Sequence, residues 1–133
     1  MLKGILLVDD ETDYAVLLSR TLQDEGYTVT AVNSGTEAIY TFTQALKNKT
    51  PFSLILLDVR LPDISGIEVL KLVRQEEVDR GIPPAECVPV IVFTVYDDQR
   101  GDVAIIKGRN HFMIKSADNT ELLKAIAERI PAD

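Results

Sequence analysis

Five short apolar runs punctuate the chain, at residues 4–8, 28–32, 54–57, 88–93 and 112–114. Each is too short for a helix and rich in Val, Ile and Leu, the pattern of strands buried on both faces. Between them apolar residues recur at helical spacing: Tyr14, Leu17, Leu18 and Leu22; Ala38, Ile39, Phe42 and Leu46; Ile67, Leu70 and Val73; Val103 and Ile106; Leu122, Leu123, Ile126 and Ile130. Strand and helix therefore alternate from end to end, which predicts a parallel sheet with right-handed crossovers and helices on both faces.

Punctuation at the helix ends agrees with this reading. Ser34 precedes Glu37 by three residues and Ser65 precedes Glu68 by three, each a capping box that satisfies otherwise orphaned amides. Asp10 with Asp13, and Asp118 with Glu121, form weaker versions of the same signal. Gly26 stands where the first helix should stop, in a left-handed position that only Gly enters without steric cost. Residues 76–89, with Gly81, Pro83, Pro84 and Pro89, read as a longer loop before the fourth strand.

Composition narrows the partners. The chain has 133 residues and a net charge of −7, which opposes a nucleic-acid partner. A chain of this length buries enough surface to hold its fold without disulfides or a structural metal, and Cys87 is the single cysteine. The apolar run at residues 4–8 meets acid at Asp9, so it matches neither a signal peptide nor a membrane-spanning helix, and the expected compartment is the cytoplasm.

Polar residues at the carboxyl ends of the buried runs carry the most information: Asp9 and Asp10 after the first, Asp58 after the third, Thr94 after the fourth, Lys115 after the fifth. Open α/β sheets bind ligands at this edge, where the strand order reverses. With order 2-1-3-4-5, strands one and three are neighbours, and Asp9, Asp10 and Asp58 crowd into one cleft with Thr94 and Lys115 closing its other side. Clustered carboxylates repel unless a cation intervenes. Mg²⁺, or Mn²⁺, suits a site with few carboxylates and room for waters and a phosphate oxygen. Taken singly, each residue has a plainer role: Asp9 and Asp10 as caps, Asp58 as a turn exit, Thr94 as a structural strand end, Lys115 as a solvated charge, Phe112 as core and His111 as surface. Their meeting at one edge outweighs those separate readings and points to phosphoryl chemistry on a carboxylate nucleophile.

The residues that carry a resemblance are Ile5-Leu6-Leu7-Val8-Asp9-Asp10, the block from Leu56-Leu57-Asp58-Val59-Arg60 to Leu61-Pro62-Asp63-Ile64-Ser65-Gly66, Val92-Phe93-Thr94, and Phe112-Met113-Ile114-Lys115. Over residues 3–131 the chain resembles the receiver domain of bacterial two-component response regulators, with no output domain in the sequence. The resemblance implies a flavodoxin-like (βα)5 three-layer sandwich in which Asp58 accepts a phosphoryl group from a sensor histidine kinase or a phosphotransfer protein. It implies Mg²⁺ held by Asp10, Asp58 and the Arg60 backbone carbonyl, with Asp9 acting through a metal-bound water. Lys115 would pair with the phosphoryl oxygens and Thr94 would hydrogen-bond one of them. Such a domain catalyses its own phosphorylation and aspartyl-phosphate hydrolysis. Thr94 and Phe112 would switch the surface around helix four, strand five and helix five toward a downstream protein target, and Arg60 and Tyr96 would tune the phosphoryl lifetime.

Three departures from the family stand out. Ser116 comes after Lys115 where the family usually has Pro, which puts the geometry of Lys115 in question. Val95 replaces a small residue and predicts narrowed access to Asp58 and slow phosphorylation. Arg109 stands where Ala is common and predicts altered packing before the fifth strand. Among other functions, a flavodoxin-type electron carrier needs a hydroxyl-rich phosphate loop that Asp9-Asp10-Glu11 would oppose. A haloacid dehalogenase-type phosphatase needs carboxylates two apart and a cap, and a P-loop enzyme needs Gly-Lys-Ser/Thr. The remaining alternative is a pseudo-receiver, a docking module that keeps the fold without being phosphorylated.

Overall fold

The computed structural model describes residues 3–116 and 118–130. In chain order it runs β1 (Lys3–Val8), α1 (Thr12–Asp24), β2 (Tyr27–Val32), α2 (Gly35–Lys47), β3 (Leu54–Leu57), α3 (Gly66–Asp79), a 3₁₀ turn (Pro84–Glu86), β4 (Val90–Thr94), α4 (Arg100–Ala104), β5 (Asn110–Ile114) and α5 (Thr120–Arg129). All strand pairings are parallel, in the expected order β2-β1-β3-β4-β5.

The period-two alternation of the strands divides the apolar residues between two cores. Leu6, Val8, Ile55, Leu57, Val90 and Val92 face one side and pack with Ala38 and Phe42 of α2, Val69, Leu70 and Val73 of α3, and Val103 of α4. Ile5, Leu7, Leu54, Leu56, Ile91 and Phe93 face the other and pack with Leu18 and Leu22 of α1 and Leu122 and Ile126 of α5. This is a three-layer α/β sandwich. No helix among the described residues is long and apolar enough to cross a membrane.

Strand register aligns the carboxyl ends. Val8 lies opposite Leu57 and Leu57 opposite Val92, so Asp9 and Asp58 emerge from the sheet at one level. Thr94 lies opposite Ile114, so Lys115 leaves β5 one step beyond it.

Several local expectations are corrected. Only the three inner strands are buried on both faces; β2 is half exposed along its length and β5 is partly exposed throughout, because each forms an edge with no strand beyond it. Thr94 closes β4 instead of coming after it. Helix α4 ends at Ala104, leaving Ile106 outside. The loose stretch before β4 starts later than 76, because Glu76 through Asp79 complete α3 and Glu77 is buried there. Ser34 and Ser65 cap their helices, each hydroxyl accepting from the Glu amide three residues on at 3.2 Å, without the reciprocal Glu side-chain bond of a full capping box. The weaker pair do not: α1 is preceded by Glu11 and α5 by Asn119, neither with a side-chain cap. The Asp118 carboxylate instead accepts from the amide and hydroxyl of Thr120. Gly26 takes the left-handed conformation at φ 97°.

Candidate functional site

Asp9, Asp10 and Asp58 come together as the register requires, with carboxylate oxygens that all lie within 4.8 Å of one another. Asp9 and Asp58 are buried and Asp10 is exposed. Backbone amides hold the buried pair: Glu11 N donates to Asp9 Oδ1 at 2.9 Å, and Val59 N donates to Asp58 Oδ1 at 2.7 Å.

Lys115 supplies the counter-charge. Its Nζ donates to Asp9 Oδ2 at 2.6 Å and to Asp58 Oδ2 at 3.0 Å, and the side chain is only 9% exposed, so it is not a solvated lysine. Burial pulls its pKa down, but the hydrogen bond to Asp9 and the charge and hydrogen bond of Asp58 outweigh that, and the pKa stands above the ordinary value. Lys115 reaches both carboxylates with Ser116 behind it and with no cis peptide bond among the described residues. The Ser116 hydroxyl donates to the Asp118 carbonyl.

The cleft over this cluster has a volume of about 250 Å³ and is lined by Asp10, Glu11, Asp58, Arg60, Val95, Tyr96 and Lys115. Val95 is 61% exposed at its mouth. Thr94 is fully buried, its hydroxyl accepting from the Tyr96 amide at 3.3 Å and its carbonyl from the Lys115 amide at 2.8 Å. Arg60 stacks its guanidinium on the Tyr96 ring, 3.6 Å from the centroid, and meets Asp98 at 3.5 Å. Phe112 is half-buried against the core cluster, with the Arg100 guanidinium 4.5 Å from its ring centroid. His111 is also half-buried, not surface; burial and the nearby Arg129 charge lower its pKa.

The connection after β3 is locked from two sides. The Asp63 carboxylate accepts from the amides of Gly35, Thr36 and Ile64, each at 2.8 Å, and so caps the start of α2 from a distant loop. Gly66 donates to the Val59 carbonyl at 2.7 Å, and a Cβ on Gly66 would collide with the Asp58 carbonyl. Asp58 therefore sits in a loop whose exit is fixed by close backbone packing.

Sequence reasoning missed Glu11, Tyr14 and Asp98 at this site. Glu11 was legible as the third acid of a run. Tyr14, whose ring lies over Lys115, matched the helical period and gave no other signal, and Asp98 lies in a loop without periodicity.

The sequence profile of the response regulator receiver domain matches residues 5–127. The chain belongs to that family. It is 36% identical over 128 residues to the uncharacterized transcriptional regulatory protein YkoG of Bacillus subtilis, a match covering 95% of this chain and 50% of YkoG. The receiver thus spans about half the length of that relative. In structure it is similar to the response regulator TrrA of Thermotoga maritima in complex with Mg²⁺-BeF, with TM-score 0.79, 30% identity and coverage of 96% of this chain and 98% of that one. TrrA in complex with the histidine kinase ThkA gives TM-score 0.78 at 28% identity, covering 98% and 100%. The chain thus has the flavodoxin-like receiver fold and a place among two-component systems.

Proposed function

We propose that this receiver accepts a phosphoryl group on Asp58 from the phosphohistidine of a sensor histidine kinase or phosphotransfer protein. The observation that carries the reading is the Lys115 ammonium bridging Asp9 and Asp58, at a sheet edge where Asp10 completes a cluster of hard oxygen donors. That donor set fits Mg²⁺: Asp10 and Asp58, with the Arg60 carbonyl, would hold it, and Asp9 would act through a bound water. Mg²⁺ there would neutralise charge on the phosphoryl oxygens.

Asp58 supplies the nucleophilic oxygen. The new P–O bond forms as the P–N bond of the phosphohistidine breaks, and the imidazole leaves. Lys115, fixed by two carboxylates, is placed to exchange its bond to Asp58 for one to the transferred oxygens. Hydrolysis restores the free carboxylate: water attacks phosphorus, the bond to Asp58 breaks, and phosphate leaves. The buried Thr94 hydroxyl lies one residue beyond the level of Asp58, from where it would hydrogen-bond a phosphoryl oxygen. Phe112, half-buried one strand away, would repack as Thr94 moves, shifting the population toward a second arrangement of α4, β5 and α5 read by a protein target. The site of action is the cytoplasm.

The test is intact mass after incubation with acetyl phosphate, with and without Mg²⁺, for wild type and Asp58→Asn. One Mg²⁺-dependent adduct, absent from the variant and labile to hydroxylamine, is expected. No adduct from either acetyl phosphate or a phosphohistidine donor would overturn the reading and leave a docking module.

A further inference from the structure

Tyr14 lies in the first turn of α1, on the face that carries Leu18 and Leu22 into the core. Its ring does more than fill that core. Lys115 Nζ stands over the ring, 4.5 Å from its centroid, while donating to Asp9 at 2.6 Å and Asp58 at 3.0 Å. The ammonium is therefore held by two anions on one side and by the negative face of an aromatic ring on another.

The tyrosine hydroxyl is buried with no hydrogen-bond partner among the described residues. An unpaired buried hydroxyl disfavours its own placement, so the useful part of the side chain is the ring face. Lysine is a point charge on a flexible four-carbon stem, and Ser116 leaves the backbone after it unrestricted by a proline ring. In this chain the Tyr14 ring, carried by α1, adds a third contact to the ammonium beside the two carboxylates.

We infer that Tyr14 is a positioning residue for Lys115: its ring face holds the ammonium at the point between Asp9 and Asp58 where a phosphoryl group would be met. The kinetic part of this inference rests on the phosphoryl-accepting reading above; the geometric part does not.

Tyr14→Leu and Tyr14→Phe separate the two parts. A cation above a ring face brings its ε-methylene protons under the ring current, so wild type should show an upfield NMR shift for the Lys115 ε-methylene, kept in the Phe variant and lost in the Leu variant. With saturating Mg²⁺ and acetyl phosphate, the maximal phosphorylation rate should fall about 2- to 30-fold in the Leu variant, the span expected for a partly to well desolvated cation–ring contact. The Phe variant should restore it, and the acetyl phosphate concentration giving half-maximal rate should stay the same in both. An ordinary ε-methylene shift in wild type, a Leu variant with the wild-type rate, or a Phe variant as slow as Leu would overturn the inference. If wild type takes up no phosphoryl group at all, the proposed function fails while the methylene shift still decides whether Tyr14 holds Lys115.

Discussion

Arg60 lays its guanidinium on the ring of Tyr96, 3.6 Å from the centroid, and so ties the connection after β3 to the connection after β4 across the mouth of the Asp58 cleft. Each residue stands two places beyond a site residue, Arg60 after Asp58 and Tyr96 after Thr94. The ion pair of Arg60 with Asp98 adds little, since both side chains are more than half exposed and screened by solvent. The stack is the main link.

If that stack limits the path of attacking water, opening it shortens the phosphoryl lifetime. Arg60→Ala or Tyr96→Ala should speed loss of the phosphoryl mass about 2- to 5-fold, from the ~0.5–1 kcal/mol of an exposed cation–ring contact. The double variant should decay no faster than either single one, because both remove the same contact. Additive acceleration would show that the two side chains act separately.

At the opposite end of the sheet, Arg74 and Glu77 form a buried pair at 2.8 Å that also gathers the backbone. Arg74 donates to the Val88 and Arg109 carbonyls and to the Asn110 side chain, and Glu77 accepts from the Val88 amide at 2.7 Å. Glu77→Ala strands a buried guanidinium and a buried amide, and should cost about 3–5 kcal/mol in urea unfolding. Phosphoryl uptake by the folded fraction should be unchanged, because these contacts lie at the amino ends of β4 and β5. A loss under about 1 kcal/mol in the same titration, the size of an exposed pair, would refute the role given to this one.

Asp63 predicts a pH dependence. Hydrogen bonds from the Thr36 side chain and amide and from the Ile64 and Gly35 amides hold its carboxyl well below the usual carboxylate range. A depressed carboxyl stabilises the fold above its unfolded pKa of about 3.9 and loses that contribution as pH falls through the folded value. Asp63→Ala should therefore melt lower than wild type at pH 7, and the gap should narrow steadily as pH drops below the ordinary carboxylate pKa. A gap of constant size from neutral to strongly acid pH would mean that the charge is not what caps α2.

The sheet and most of the cleft were legible because one signal served both: buried apolar runs that stop at Asp9, Asp58 and Lys115 mark strand ends and place polar groups at one edge. Register then did the rest. What was illegible depends on contacts between distant segments. Asp63 caps α2 from 27 to 28 positions away, a spacing that no local motif encodes. Tyr14 satisfied the helical period completely, so its second contact left no trace, and Glu77 sat in a stretch whose Gly and Pro content suggested a loop. The edge strands misled in the same way, since an apolar run does not say whether another strand lies beyond it.

Two glycines give opposite expectations for one substitution. A Cβ on Gly66 would strike the Asp58 backbone, and a rigid carbonyl cannot move aside without taking the Asp58 loop with it. Gly101 lies within α4, has an ordinary φ, and a Cβ there meets nothing within 4 Å. Gly101→Ala should therefore stabilise the domain by roughly 0.4–1 kcal/mol, chiefly by restricting the unfolded chain. If Asp58 takes up the phosphoryl group as proposed, Gly66→Ala should lower the melting temperature and slow that uptake together, because the same displacement strains the loop and shifts the Asp58 carboxylate. Comparing both variants by thermal melting and by adduct formation with acetyl phosphate checks the pair. A Gly66→Ala protein that melts and phosphorylates like wild type would show that the loop behind Asp58 yields without consequence.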